Sequence, residues 1–243
     1  TRIVMKKSLS PLNRRKFIGV AGSALAFTIL PRHVVGGKDF IAPSDKITMG
    51  YIGLGTQGLR EILPLLSVPE LQLVAVCDPN KEAIGYRDWG KNYLRDEIRK
   101  KLNSTTWTAG GDNDIPGGLD NGKYIVDTYY KEQRSADRYN ACTAYADFRE
   151  MFAKEKDLDA IKIMTPDHLH GLLAIAALKR NIHVTMHKPV ANRLKEGRQV
   201  VDLALQSNAT THLAAWEANT PMDGIMNWIN SGAIGTLQEV HNW

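Results

Sequence analysis

Residues 47–58 read ITMGYIGLGTQG, an apolar run that breaks into a glycine-rich segment, Gly53-Leu54-Gly55-Thr56-Gln57-Gly58. This order is typical of a buried β-strand that turns sharply into a helix. In such a turn the first glycine allows the tight bend, the second leaves room for phosphates, and the third lets the helix pack on the strand. The free N–H groups at the start of the helix favour an anion. The segment therefore predicts a phosphate-binding strand–turn–helix unit.

A second apolar run, Leu71–Cys77, is followed by Asp78, twenty residues after Gly58. A carboxylate at this place can accept hydrogen bonds from the hydroxyls of an adenosine ribose. The glycine pattern alone is a weak signal, but strand, turn, helix, strand and acid at this spacing indicate a nicotinamide dinucleotide site. Asp78 should repel a 2′-phosphate, so we expect NAD rather than NADP. The residues predicted to bind the cofactor here are Gly53, Gly55, Thr56, Gln57, Gly58 and Asp78.

The N-terminus carries a twin-arginine pair, Arg14-Arg15, which is followed by Lys16 and an apolar run over residues 17–30. Fourteen residues are too few to span a bilayer comfortably, and they suit the core of an export signal. We therefore predict a twin-arginine signal in residues 1–38 and export to the periplasm, or otherwise through that route. A basic tail before a short core helix and an uncleaved anchor are the alternatives. We expect no other membrane segment.

The positive charge of the chain is concentrated in this leader. Residues 1–38 hold eight of the 31 Lys and Arg and none of the 26 Asp and Glu, so the remainder has a formal charge of −3. The basic charge that would indicate a nucleic-acid partner lies in residues 1–38, outside the predicted domain. We therefore predict no nucleic-acid partner. The two cysteines, Cys77 and Cys142, do not make a disulfide framework, and Cys77 is most simply a small buried apolar residue.

Strands and helices alternate after Asp78, which favours an α/β fold with a doubly wound parallel sheet. We predict strands over residues 159–164, 181–186 and 210–216, and helices over 82–102, 123–138, 145–156, 168–179, 194–206 and 221–230. Residues 103–122 are rich in Gly, Asn and Asp and read as a long surface loop. This loop and the following helix form a predicted insertion at about 103–140, within a domain that covers residues 46–235.

The sequence resembles the glucose–fructose oxidoreductase, inositol dehydrogenase and rhizopine-catabolism family (Gfo/Idh/MocA) over about residues 46–243. The match rests on four places in order: the glycine turn at 53–58, Val76-Cys77-Asp78, the stretch from Asp159-Ala160 to Thr165-Pro166-Asp167-His168-Leu169-His170, and His187-Lys188-Pro189-Val190-Ala191. The resemblance implies an N-terminal Rossmann domain and a C-terminal α/β domain with an open sheet for substrate binding and oligomerisation. Only the opening strand of that second domain, at 236–243, would then be present. We expect a homo-oligomer at full length and an inactive fragment here.

The resemblance also implies an NAD-dependent oxidoreductase that acts on a sugar, a polyol or a glycoside. Lys188 follows a strand at the sheet edge that binds ligands, and we predict it as the catalytic residue, which stabilises developing charge or relays a proton. In the family Thr165-Pro166 lies against the cofactor, and His187 and Lys188 complete the predicted binding set. His170 either contacts the cofactor or bonds the backbone. The family's usual Glu-Lys-Pro becomes His187-Lys188-Pro189 here, and a neutral histidine holds the lysine ammonium charged and in place less well than a glutamate does.

Three further expectations concern the cofactor, the alternative functions and metal binding. Free NAD should be scarce outside the cytoplasm, so we expect a tightly bound cofactor that is recycled in place. A redox-assisted glycosidase or lyase and a non-catalytic ligand-binding paralogue are the alternatives to an oxidoreductase. We predict no metal site, because His168 and His170 stand two residues apart at a helix start and face different directions.

Overall fold

The computed structural model describes residues 41–82, 85, 88, 90–109, 116–134, 139–214 and 222–239. The predicted signal segment at 1–38 lies outside these ranges, as do the last four residues of the strand expected at 236–243. Residues 236–239 form no helix or strand. The predicted domain boundaries therefore stay predictions. The elements that follow belong to one compact unit, Asp45–Trp243.

Six strands form a single parallel sheet in the order β3-β2-β1-β4-β5-β6. The strands are β1 (Ile47–Ile52), β2 (Leu71–Cys77), β3 (Thr143–Tyr145), β4 (Ala160–Ile163), β5 (His183–His187) and β6 (Thr211–Ala214). This is the strand order of the Rossmann fold, so the prediction of a doubly wound parallel sheet is confirmed. The order reverses between β1 and β4, and ligands bind at such a switch point, outside the carboxyl ends of the strands.

Helices cover both faces of the sheet, which therefore has an apolar core on each side. The helices are α1 (Thr56–Leu65), α2 (Tyr93–Leu102), α3 (Leu119–Gln133), α4 (Phe148–Lys154), α5 (Asp167–Leu178), α6 (Leu194–Gln206) and α7 (Met222–Asn230). Buried residues of α1, α2 and α3 form one core cluster with β1 and β2. Buried residues of α4, α5 and α6 form the other, with β4 and β5. Within the described ranges no helix is long and apolar enough to cross a membrane.

The structure differs from the sequence prediction around the insertion. Strand β3 was not predicted, and Tyr145 ends that strand instead of beginning a helix. Helix α4 begins only at Phe148, because the Asp147 side chain accepts a hydrogen bond from the Arg149 N–H and caps it. Helix α3 begins inside the predicted loop, and Trp107 of that loop is buried. The described residues of the insertion, 103–109, 116–134 and 139–140, are thus part of the packed unit.

Both cysteines are free and buried. Burial raises the pKa of the Cys77 and Cys142 thiols to about 12. We expect both thiols of the folded protein to react slowly with a disulfide reagent near pH 8, and both to react quickly after denaturation. Because these thiols ionise near 12 when folded and near 9 when unfolded, the free energy of unfolding should fall as the pH rises from about 9 towards 12. Fast labelling of the native protein would contradict the burial of these two thiols.

Candidate functional site

The glycine turn after β1 is closed against the protein and open on one side. Gly53 has a φ of 99°, and a Cβ there would lie 2.5 Å from the carbonyl carbon of Met164. A Cβ on Gly58 would lie 2.1 Å from the Gly53 carbonyl oxygen. A Cβ on Gly55 would meet no atom within 4 Å. Two glycines are therefore required by the fold, whereas Gly55 leaves bare backbone that faces open space.

Leu54, between the first two glycines, is held from three directions. Its N–H donates to Asp78 Oδ2 at 2.7 Å, and its carbonyl oxygen accepts from the Gly118 N–H at 2.8 Å. Its side chain packs on α3, where a Cβ on Gly122 would lie 2.6 Å from Leu54 Cδ1. The contacts from Gly118 and Gly122 were not predicted from the sequence. They fix the shape of the turn by protein contacts alone.

Asp78, which follows β2, is buried and accepts two main-chain hydrogen bonds. Its Oδ2 bonds the Leu54 N–H, and its Oδ1 bonds the Asn80 N–H at 2.9 Å. Each carboxylate oxygen has a second lone pair. Asp78 therefore shapes the glycine turn and can still accept a hydroxyl at the surface that it shares with Pro79 and Asn80. Its contact with a ribose stays a prediction.

Replacing Asp78 with asparagine should destabilise the nucleotide-free protein. The amide NH₂ would face one of the two N–H donors, and an unsatisfied buried donor costs about 1–3 kcal/mol. The measurement is thermal unfolding without nucleotide, with Asp96→Asn as the exposed control on α2. An Asp78→Asn variant with an unchanged Tm would show that the carboxylate does not hold the turn.

A cleft of about 680 Å³ opens at the carboxyl ends of β1, β2, β3 and β4, at the switch point of the sheet. Its walls include eight predicted site residues: Gly53, Gly55, Thr56, Gln57, Gly58, Asp78, Thr165 and Pro166. Helix α1 starts at the cleft without a side-chain cap. The Thr165 hydroxyl is buried and has no hydrogen-bond partner in the part of the chain that the structure describes.

These features fit a dinucleotide. An uncapped helix start favours an anion, and the bare backbone at Gly55 lets a pyrophosphate approach it. The Thr165 hydroxyl offers a further donor or acceptor beside the glycine turn. Of the described residues, Gly53, Gly55, Thr56, Gln57, Gly58, Asp78 and Thr165 would hold the group.

The sequence prediction missed the wall formed by residues 146–149, which follow β3. There the Arg149 guanidinium lies 4.8 Å from the centre of the Phe148 ring. The Arg149 N–H bonds the Asp147 carboxylate at 2.8 Å, and this bond is the main cause that lowers the pKa of Asp147. The available signal was the capping pattern of an acidic residue before Phe148. It becomes informative only when β3 is recognised.

His170 is not among the residues that line the cleft, and its predicted contact with the cofactor stays a prediction. Its side chain is 1% exposed on α5, and both ring nitrogens lie within hydrogen-bond distance of main-chain carbonyl oxygens. Those oxygens belong to Thr165 and Pro189. The alternative, a histidine that bonds the backbone, matches the structure.

Lys188 and His187 lie at the end of β5, outside the residues that line the cleft. Lys188 is exposed, and none of the described residues makes an ion pair or hydrogen bond with its ammonium group. The His187 ring turns towards the backbone, with Nδ1 3.1 Å from the Lys188 carbonyl oxygen. Their cofactor contacts remain predictions. Across the described ranges, no three His, Cys, Asp or Glu side chains form a group that could hold a metal ion.

A family model described as "Oxidoreductase family, NAD-binding Rossmann fold" (Gfo/Idh/MocA) matches residues 119–214. A levoglucosan dehydrogenase from Pseudarthrobacter phenanthrenivorans is 29% identical over 42% of this chain and 26% of its own length. A glycosyl hydrolase family 109 protein from Shewanella baltica is 22% identical over 93% of this chain and 44% of its own length. The chain therefore spans less than half the length of these curated relatives.

A solved oxidoreductase from Agrobacterium radiobacter, in complex with NAD+, L-tartaric acid and magnesium, shares the fold. It has a TM-score of 0.50 and 17% identity, over 79% of this chain and 42% of that one. The strand order and the cleft at the switch point define a Rossmann-like unit. The family model and the curated relatives show that this chain is similar to NAD-binding oxidoreductases of the Gfo/Idh/MocA family.

Proposed function

We propose that the complete protein is an NAD-dependent oxidoreductase that transfers hydride from a sugar, a polyol or a glycoside. The observation that carries this proposal is the cleft at the switch point, where the open backbone at Gly55 meets an uncapped helix start. The name of the levoglucosan dehydrogenase relative supports a carbohydrate substrate. The position of Asp78 on the cleft wall supports NAD over NADP, because a carboxylate repels a 2′-phosphate.

In this proposal Lys188 acts on the substrate hydroxyl. It follows β5, and β5 is the neighbour of β4, whose following turn at Thr165 and Pro166 lines the cleft. When bound, NAD supplies the acceptor for the hydride. The Lys188 side chain donates a hydrogen bond to the reacting oxygen or takes its proton, which stabilises the charge that develops there. The exposed position of Lys188 leaves its amine open to a substrate.

We further propose that the protein is exported through the twin-arginine route and keeps its NAD bound. This route carries folded proteins, so a nucleotide can be loaded before export. The support is the order of arginine pair and apolar run in residues 1–38. A homo-oligomer formed through the second domain is part of the same proposal. Purified complete protein that releases no nucleotide on denaturation would count against the tightly bound cofactor.

The second candidate is a glycosidase or lyase that oxidises its substrate transiently and reduces it again after a bond is cleaved. The observation in its favour is that relatives named as glycosyl hydrolase family 109 proteins align with 93% of this chain. Product analysis without added NAD separates the two. Cleaved glycosides with no net NADH favour this candidate, whereas oxidised sugars favour the first.

The direct test is a panel of sugars, polyols and glycosides with the complete gene product, followed by NADH absorbance and by product analysis. The proposal expects turnover of at least one compound and formation of NADH, or of an oxidised product if the cofactor is recycled. Binding of NAD with no turnover of any compound would favour the non-catalytic ligand-binding paralogue. Absence of NAD binding would remove both enzymatic candidates.

A further inference from the structure

One buried histidine joins two loops at the carboxyl edge of the sheet. His170 Nε2 lies 2.8 Å from the Thr165 carbonyl oxygen, and Nδ1 lies 2.6 Å from the Pro189 carbonyl oxygen. Thr165 belongs to the turn that lines the cleft, and Pro189 directly follows Lys188. The ring is 1% exposed, so water does not compete for these contacts. The imidazole therefore links the cleft wall to the segment that carries the proposed catalytic lysine.

The protons on the ring determine which of the two contacts are hydrogen bonds. A carbonyl oxygen only accepts hydrogen bonds, so each ring nitrogen needs a proton to make its contact. A ring with one proton would place a nitrogen lone pair against a carbonyl oxygen. Both carbonyl oxygens lie at hydrogen-bond distance from the ring, so the ring donates to one of them or, with both nitrogens protonated, to both.

The segment between β5 and α6 depends on such contacts. Residues 188–193 form no helix or strand, and Pro189 has no N–H with which to anchor itself. Gly171, next to His170, lets this segment approach α5, because a Cβ there would lie 3.2 Å from Ala191 Cβ. One residue of α5 thus makes room for the segment, and its neighbour bonds it.

We propose that His170 is a positioning residue whose ring fixes the Lys188–Pro189 segment against the Thr165 turn. The bond to Pro189 sets where Lys188 stands, and the bond to Thr165 shapes the cleft wall. The consequence for turnover rests on the proposed function of Lys188. The two bonds themselves do not depend on it, so the experiment measures them separately.

Two substitutions can each keep one of the two ring contacts and remove the other. The amide nitrogen of asparagine is as many bonds from Cα as Nδ1, so His170→Asn can keep the bond to Pro189 and loses the bond to Thr165. The amide nitrogen of glutamine matches Nε2, so His170→Gln can keep the bond to Thr165 and loses the bond to Pro189. A lost hydrogen bond of this kind should change local opening or function by about tenfold.

The first readout is amide hydrogen exchange, which needs no activity. We expect faster exchange at Val190 and Ala191 in His170→Gln, and faster exchange at Thr165 and its neighbours in His170→Asn. Lys179→Ala, an exposed change at the end of α5, is the matched control and should alter neither segment. Equal opening of both segments in both variants would overturn the proposal.

The second readout is kinetic. His170→Gln should lower kcat about tenfold with little change in the Kd of NAD, and His170→Asn should mainly weaken NAD binding. If the wild type shows no turnover, the proposed function fails while the exchange pattern still decides the positioning role. If neither variant folds, NMR of the wild-type ring decides it: a protected ring N–H proton supports the proposal, and the absence of any protected ring N–H overturns it.

Discussion

Replacing Lys188 with alanine should lower kcat by about 10²–10⁴-fold, the range that positioned acid–base groups contribute. The nearby His187 offers no carboxylate, and its ring turns to the backbone, so His187 is not placed to replace the lost amine. NAD binding should be largely kept, because Lys188 lies outside the cleft lined by the glycine turn. The measurement is steady-state kinetics on the best substrate of the panel, with a separate titration of NAD.

Lys195→Ala is the matched control, because Lys195 is an exposed lysine on α6. It should leave kcat and NAD affinity unchanged. Full turnover by the Lys188→Ala variant would remove Lys188 from the mechanism. Loss of NAD binding in this variant would instead assign Lys188 to the cofactor.

A Gly55→Val substitution should weaken NAD binding about a hundredfold and leave the fold intact. A Cβ at this position would meet no atom within 4 Å, so we expect a side chain here to extend into the space where a pyrophosphate would approach the backbone. Hydrogen bonds from N–H groups to a charged partner contribute about 1.5–3 kcal/mol each, and the side chain would block them. Calorimetric titration with NAD and thermal unfolding without NAD are the two measurements.

Gly53→Ala provides the contrast, because this glycine serves the fold. Its φ of 99° disfavours alanine, and the added Cβ would lie 2.5 Å from the Met164 backbone. Backbone strain and overpacking each cost about 1–3 kcal/mol, so the variant should unfold roughly 10 °C earlier. If Gly55→Val lowers the Tm as much as Gly53→Ala does, Gly55 is a structural residue and the cleft loses its main evidence.

The strand–turn–helix unit and Asp78 could be predicted from sequence because their determinants are local. Two apolar runs, three glycines and one acid within about thirty residues specify β1, α1 and β2. The predicted long elements also exist, since amphipathic helices and apolar strands leave a periodic pattern. Their ends were less well predicted, as the start of α2 at Tyr93 shows.

The remaining features depend on contacts between distant residues. Strand β3 has three residues and owes its conformation to pairing with β2, so its sequence carries little pattern. The Leu54 carbonyl oxygen accepts a hydrogen bond from the Gly118 N–H, and Gly118 lies in the insertion. His170 meets Pro189 across nineteen residues, and no local signal reports that both its ring nitrogens are engaged. The sequence therefore predicted where the cleft lies better than what supports it.

The proposed binding of NAD is tested most directly by mass spectrometry of the nucleotide released from the purified complete protein. A calorimetric titration with NAD, for the wild type and for Gly55→Val, completes the measurement. We expect NAD in the released material, or saturable binding of added NAD by the wild type that Gly55→Val weakens. No released nucleotide and no binding of added NAD would contradict it, and would leave the Rossmann unit without its cofactor.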